Sequence, residues 1–283
     1  MNSSDLQIRT MSRGEIDLAV EWAAREGWNP GLADADCFHA ADPEGFLIGH
    51  VGTEPAAMIS AVSYGAALGF IGFYIADRKF RGQGHGWRLW QAGMARLGDR
   101  AIGLDGVVAE QASYAKSGFV LAHRNIRYGG TPRFDETGSD AIMVNAEQVA
   151  IQQLIVYDAR HFGAPRPAFL RCWLRPDRRR ALVALRDGEI AGLGAIRECR
   201  KGFKIAPLFA DDEQVAEALF TALAGAADGA AVYLDTPQTN RAAVALAERH
   251  GLTPVFETAR MYKGRAPELP IERIFGITSF ELG

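Results

Sequence analysis

The chain has 283 residues, 48% of them hydrophobic and 23% charged, the balance of a globular protein and not of a disordered one. Its 31 Lys and Arg against 34 Asp and Glu leave a net charge of −3, without the basic excess of a generic polyanion binder, so no nucleic-acid partner is expected. The length allows one large domain or two ordinary ones.

In chain order, 6–9 reads as a short strand. Residues 13–26 read as a helix: Ser12 can cap it, Glu15 follows at capping-box spacing, and Ile16, Ala19, Val20 and Ala23 share a face. Gly27, Pro30 and Gly31 break it, and a short helix fits 33–40. Strands follow at 46–48, 56–64 and 68–76. The helix at 84–97 carries Trp87, Trp90, Met94 and Leu97 on one stripe, with Trp87 and Trp90 expected to anchor it on the sheet. A strand at 102–104, a helix at 110–117 and a strand at 120–128 complete this half. The rest repeats the order: helices near 146–159 and 166–174, strands at 181–186, 190–197 and 203–209, a helix at 212–226, a strand at 231–234, a helix at 239–250 and a strand at 253–262.

The halves also share words. Leu104-Asp105 matches Leu234-Asp235, Gly118-Phe119 matches Gly251-Leu252, and Tyr128-Gly129-Gly130 matches Tyr262-Lys263-Gly264. A domain-sized duplication explains these together. The linker is expected at 129–139, rich in Gly, Thr, Pro and Ser. Cys37, Cys172 and Cys199 form neither a disulfide framework nor a zinc pattern. They are expected as reduced thiols of a cytoplasmic protein. No run approaches the ~18 apolar residues of a membrane span. Residues 1–5 lack the charge and apolar stretch of a signal peptide. The histidines show no metal-ligand spacing.

The segment 70–94 carries the chemistry. It reads strand, turn, glycine-rich loop, helix. Gly82, Gly84 and Gly86 uncover the backbone, so successive N–H groups can converge on an anion at a helix N-terminus. Arg81 adds charge, and Gln83 and His85 are expected to point outward. A dinucleotide fold needs G-x-G-x-x-G directly after a strand. Here the spacing is G-x-G-x-G, and residues 77–80 intervene. A phosphate-loop NTPase needs a Gly-Lys-Ser/Thr that is missing. The third reading is an acyl-CoA site.

Arg81-x-x-Gly84-x-Gly86, after a strand ending Phe73-Tyr74-Ile75-Ala76, resembles the CoA-binding motif of the GNAT superfamily of N-acetyltransferases. Tyr114-Ala115-Lys116-Ser117-Gly118-Phe119 is similar to that family's Tyr-x-x-x-Gly-Phe signature, and the element order matches its fold. Gly27-Trp28-Asn29-Pro30-Gly31 and the closing Phe275-Gly276-Ile277-Thr278 resemble a bacterial subfamily with a second, degenerate GNAT domain. The resemblance implies an α/β (α+β) class of tandem GNAT folds, each a mixed, mostly antiparallel sheet flanked by helices. It places a catalytic domain at 1–130 and a degenerate one at 138–283. It also implies acetyl-CoA as cosubstrate; that no metal and no membrane are expected follows from the spacing and hydropathy given above. The backbone of Phe73, Tyr74 and Ile75 would pair with the pantetheine arm as an added strand does. The N–H groups from Gly82 through Gln83, Gly84, His85 and Gly86 to Trp87 would hold the pyrophosphate. Tyr114 would protonate the departing thiolate, which suits a phenol neutral at pH 7.

No base stands out, because the strand at 68–76 has no carboxylate. Asp105 and Glu110 are the nearer candidates, and Asp34 and Asp36 the weaker ones; water alone is the alternative. Trp28 and Asn29 fall where the family covers its acceptor, and Tyr128 could face the pocket or pack. In the second half, Asp211 and Asp212 stand where the arginine and glycines should be, and Ala247 replaces the tyrosine. That half is expected to bind no CoA productively, and to close the acceptor pocket with Arg200, Lys201, Lys204 or Asp235. Arg178-Arg179-Arg180 reads as a solvated turn. The leading function is acetyl transfer to a primary amine, on a small molecule or on a protein lysine. The alternative is a non-catalytic CoA-binding or sensing module.

Overall fold

A computed structural model describes residues 5–134 and 140–283. Its first half runs β1 (Leu6–Thr10), α1 (Arg13–Arg25), α2 (Asp34–Ala41), β2 (Phe46–Val51), β3 (Glu54–Tyr64), β4 (Leu68–Ala76), α3 (His85–Leu97), β5 (Ala101–Val107), α4 (Gln111–Lys116) and β6 (Val120–Gly130). The second runs β7 (Ile142–Asn145), α5 (Ile151–Phe162), α6 (Pro167–Trp173), β8 (Arg180–Arg186), β9 (Glu189–Glu198), β10 (Phe203–Ala210), α7 (Glu213–Ala224), β11 (Val232–Pro237), α8 (Arg241–Arg249), β12 (Thr253–Lys263) and β13 (Ile274–Gly276). The short strands β7 and β13 have no counterpart in the sequence reading. Gly138 and Ser139 of the expected linker, and so the start of the second half, lie outside the described residues. No helix among the described residues is long and apolar enough to cross a membrane.

The local causes are the ones the sequence carries. The Ser12 N–H donates to Glu15 Oε2 at 2.8 Å, and Arg9 pairs with the same carboxylate at 2.6 Å. These contacts draw the Glu15 carboxyl down to about 2. On α3, Trp90 is buried and meets Phe119 and Tyr114. Trp87, in the first turn, is 55% exposed, so the expected pair of anchors is one.

The two mixed, mostly antiparallel sheets are fused into one. Its order is β1-β2-β3-β4-β5-β12-β6-β11-β10-β9-β8-β7, with β13 on β10. Each half surrenders its last long strand. β12 lies between β5 and β6, antiparallel to both, and β6 pairs with β11. The exchange removes an edge from each half and brings side chains from both halves onto shared faces. The largest hydrophobic cluster accordingly draws Phe38, Phe46 and Phe73 from one half and Phe169, Trp173 and Phe209 from the other.

Four assignments change at this junction. Cys37 and Cys172 are joined in a disulfide, with Cα atoms 5.2 Å apart, in place of two thiols; Cys199 is free and buried. The partners lie on α2 and α6, which pack across the junction where spacing along the chain gives no sign of it. Arg179 is buried and pairs with Asp34 at 2.8 Å, so Arg178-Arg179-Arg180 is not wholly a solvated turn. Asp34 also meets Arg197 at 3.0 Å. Burial would raise its pKa, but Arg197 and Arg179 outweigh burial and hold the carboxyl below its ordinary range. It is a structural counter-ion, not an available base. Lys204 and Asp235 are fully buried: Asp235 receives Arg127 at 2.6 and 2.8 Å, and Lys204 Nζ donates to the Asn29 carbonyl at 3.2 Å.

Two outcomes follow from the exchange. Arg127→Met would leave the Asp235 carboxylate buried with its main partner gone. The expected loss is about 3–5 kcal/mol, read from the urea midpoint; a loss below about 1 kcal/mol would contradict the pairing. A chain ending at residue 134 lacks the strand between β5 and β6, so amide exchange should find its β6 unprotected.

Candidate active site

β4 and β5 pair in parallel only over Leu68–Ile71 and Ala101–Leu104. At Phe73 the chain takes φ 46°, a left-handed conformation that costs a bulky residue of order ~1–3 kcal/mol. The register of β4 on β3 shifts at the same level, between Met58 and Ser60. Together these form a bulge that bends β4 away from β5. The strands splay, and a cleft of about 460 Å³ opens between Ile71–Ala76 and Leu104–Val107.

Tyr114 lies on one face of this cleft. Its ring packs on Gly106, where an added Cβ would collide with it, and its centroid is 5.6 Å from that of Trp90. Burial, then Glu110 and Tyr74, push its phenol above the ordinary value, so it stays a proton donor at neutral pH. Phe73, Tyr74, Ile75, Arg81, Trp28, Asp105 and Glu110 line the same cleft.

The glycine loop lies at the N-terminus of α3. Gly82 and Gly84 take φ 76° and 82°, with open space around the missing Cβ atoms, so conformation and not crowding demands glycine there. Gly84 is the N-cap and supplies no side chain to the first turn. The N–H groups at this helix start are those an anion can use. Gly86 leaves room for the Tyr74 hydroxyl, 3.1 Å from its missing Cβ. Arg81 is held by the Ala76 carbonyl at 2.9 Å and by Glu26 at 2.6 Å. Gln83 is exposed as expected, with its amide donating to the Lys79 carbonyl. His85 does not point outward: it is buried edge-on to Phe80.

The opposite face is built by both halves. Asp105 accepts from Arg260 of β12 at 2.9 and 2.6 Å and from Asn125 of β6 at 2.8 Å. Burial pushes its carboxyl above the ordinary range against the pull of Arg260 and Asn125. Phe256, Thr258 and Phe280 line the cleft beside it; sequence reasoning missed all three, since nothing in the sequence places β12 next to β5. Asn29 and Tyr128 stand elsewhere. Asn29 exchanges two hydrogen bonds with the Lys201 backbone at 3.0 and 2.9 Å, clasping the halves together. Tyr128 lines a separate cleft with Arg241 and Pro254. Asp36 pairs with Arg13 at 2.5 Å, outside the cleft. No group of His, Cys, Asp and Glu among the described residues could hold a metal ion.

Gly72 marks where the second half closes the floor. A Cβ there would collide with the Glu281 carbonyl, and the segment 277–283 is buried throughout. Gly72→Ala should therefore displace this segment and lower stability by roughly 1–3 kcal/mol, measured by urea denaturation; an unchanged midpoint would contradict the contact.

Residues 15–119 match the acetyltransferase (GNAT) family, and residues 154–276 match an acetyltransferase (GNAT) domain. Holothin acyltransferase of Pseudoalteromonas sp. (strain SANK 73390) is 32% identical over 95% of this chain and 92% of its own length. A putative acetyltransferase from Pyrococcus horikoshii superposes with TM-score 0.83 at 23% identity, over 98% of this chain and 96% of that one. A tandem GNAT protein from the clavulanic acid biosynthesis pathway gives TM-score 0.60 at 13% identity, covering 93% and 100%. These two likenesses concern the fold.

Proposed function

Because the chain belongs to the GNAT acyltransferases and carries the tandem form of that fold, we propose that it transfers an acetyl group from acetyl-CoA to a primary amine on a small molecule, with Tyr114 as the acid. The observation that carries this reading is one cleft bounded by a buried, neutral phenol on one face and by side chains of both halves on the other. Side chains of both halves line the acceptor side, which favours a small molecule over a protein lysine. Such a lysine would need an open groove. The relative named for acylating holothin points to a discrete acceptor as well. The site of action is the cytoplasm, as the choice of cosubstrate suggests.

The residues present fit an acyl-CoA. The loop 82–87 offers uncapped N–H groups to the pyrophosphate, and the bulged edge at Phe73–Ile75 offers backbone groups to the pantetheine arm. The thioester supplies an activated carbonyl. The amine lone pair attacks that carbon, and the carbonyl π pair moves to oxygen. When the C=O bond re-forms and the C–S bond breaks, Tyr114 gives its proton to sulfur and regains one from water. The amine's surplus proton leaves to water. Asp105 serves as a positioning residue on the acceptor side, its oxygens already taken up by Arg260 and Asn125.

Tyr114→Phe keeps the ring against Trp90 and removes only the proton donor. Turnover of acetyl-CoA on an amine panel should fall by about 10²–10⁴-fold with acetyl-CoA affinity unchanged. Equal turnover would refute the assignment. Burial raises the phenol, so any alkaline fall in kcat that Tyr114 causes should lie above the ordinary phenol value of about 10. A limb below it that vanishes in Tyr114→Phe would contradict the buried, neutral phenol.

A further inference from the structure

The second half has a splay of its own, and the chain fills it. Asp77 N–H donates to the Ala56 carbonyl at 2.9 Å, and Asp211 N–H donates to the Ala191 carbonyl at 2.8 Å, so the ends of β4 and β10 occupy matching places. Tyr74-Ile75-Ala76 then corresponds to Leu208-Phe209-Ala210. In the first half this edge faces the open cleft. In the second half it is paired: Leu208 with Gly276 and Phe209 with Ile274 of β13, antiparallel. β13 is held on its other side by β11, through Ile277 N–H to the Asp235 carbonyl at 2.9 Å and Thr236 Oγ1 to the Phe275 carbonyl at 3.1 Å. Asn240 Nδ2 adds a bond to the Ile274 carbonyl at 3.0 Å. β13 therefore takes, in the second half, the place the proposed function gives to a pantetheine arm in the first.

From that anchor the chain runs into the first half's cleft and delivers Phe280. Its ring lies 6.0 Å from Phe256, and the Arg127 guanidinium lies 4.6 Å from the Phe280 centroid and 5.7 Å from that of Phe256. Arg127 also donates to the Trp28 carbonyl at 2.6 Å, so one side chain ties three aromatic walls together. The charges at this wall are spent on each other: Arg127 on Asp235, and Asp105 on Arg260. Thr258 Oγ1 differs. It is buried on the cleft wall without a hydrogen-bond partner, and an unpartnered buried hydroxyl invites one from a ligand.

We infer that 274–283 is the acceptor-selecting element: β13, seated in the second half's unused cofactor groove, fixes Phe280 so that Trp28, Phe256 and Phe280 admit a flat, uncharged ring amine whose polar substituent meets Thr258. This rests on the acyl-transfer reading above. An amine conjugated to a ring is weakly basic and reaches the site neutral, so it attacks without a strong base. That agrees with a β4 free of carboxylates and an Asp105 tied to arginine.

The test compares transfer from acetyl-CoA to aniline and to hexylamine, together with acetyl-CoA affinity by calorimetry. Phe280→Ala should lower the aniline-to-hexylamine ratio of kcat/KM at least tenfold, chiefly through the aniline KM, with acetyl-CoA affinity within twofold. Phe280→Tyr should keep the ratio. Gly276→Val, whose added carbons meet Leu234 away from the cleft, should reproduce the loss by unseating β13. An unchanged ratio in Phe280→Ala with acetyl-CoA still bound overturns the inference and leaves acyl transfer standing. A Gly276→Val ratio like wild type overturns the anchoring by β13. A wild-type protein that binds acetyl-CoA and acylates neither amine removes the acyl-transfer reading itself.

Discussion

The structure turns on the buried pair of Arg127 and Asp235. Arg127 stands on β6 of the first half and Asp235 on β11 of the second, opposite each other in register. Each is the other's main counter-charge, with Lys204 Nζ a second, more distant partner of Asp235 at 3.8 Å, and an unpaired charge in such a setting costs several kcal/mol. They meet only because the last strands are exchanged. The same guanidinium reaches the Trp28 carbonyl and stacks near Phe256 and Phe280. One electrostatic contact thus fixes the junction of the halves and shapes the wall of the cleft.

A duplicated scaffold has diverged in the use of one feature. Both halves bend their central strand at the same level, and both leave a splay beside it. In the first, the splay is open and faces Tyr114 and the glycine loop. In the second, Asp212 caps α7 through the Val215 N–H at 2.9 Å and pairs with Arg186 at 2.6 Å, putting acid where a phosphate would sit. Ala247 is buried in the core, and β13 closes the groove. The backbone demand for a strand at the splay is the same in both halves. The chain meets it with its own residues in one half and leaves it unpaired in the other.

The sequence disclosed what depends on local order. The bounds of α1 and α3, the glycine loop and the duplication were readable, because capping, periodicity and turn words act within a few residues; Tyr114 was singled out only through the resemblance of Tyr114-x-x-x-Gly118-Phe119 to a family signature. Phe256, Thr258 and Phe280 were not readable. Phe256 and Thr258 reach the cleft because β12 crosses into the other half, and Phe280 because the chain after β13 does; no periodicity encodes which sheet a strand joins. The Cys37–Cys172 bond and the burial of Arg179 failed for the same reason: each has its partner across the junction. Asn29 and Tyr128 were drawn toward the site by position in the element order, while their side chains answer to the junction and to a neighbouring cleft. Trp87 shows the limit of a helical stripe, since in the same first turn it is His85 that packs, on Phe80, and Trp87 stays exposed.

On the proposed function, one groove is open to acyl-CoA and the chain fills the other. Calorimetric titration of the full chain with acetyl-CoA measures this directly. It should return one site per chain, abolished by Gly84→Glu, which fills the loop and repels the pyrophosphate. Two sites, or one site that survives Gly84→Glu, would contradict it.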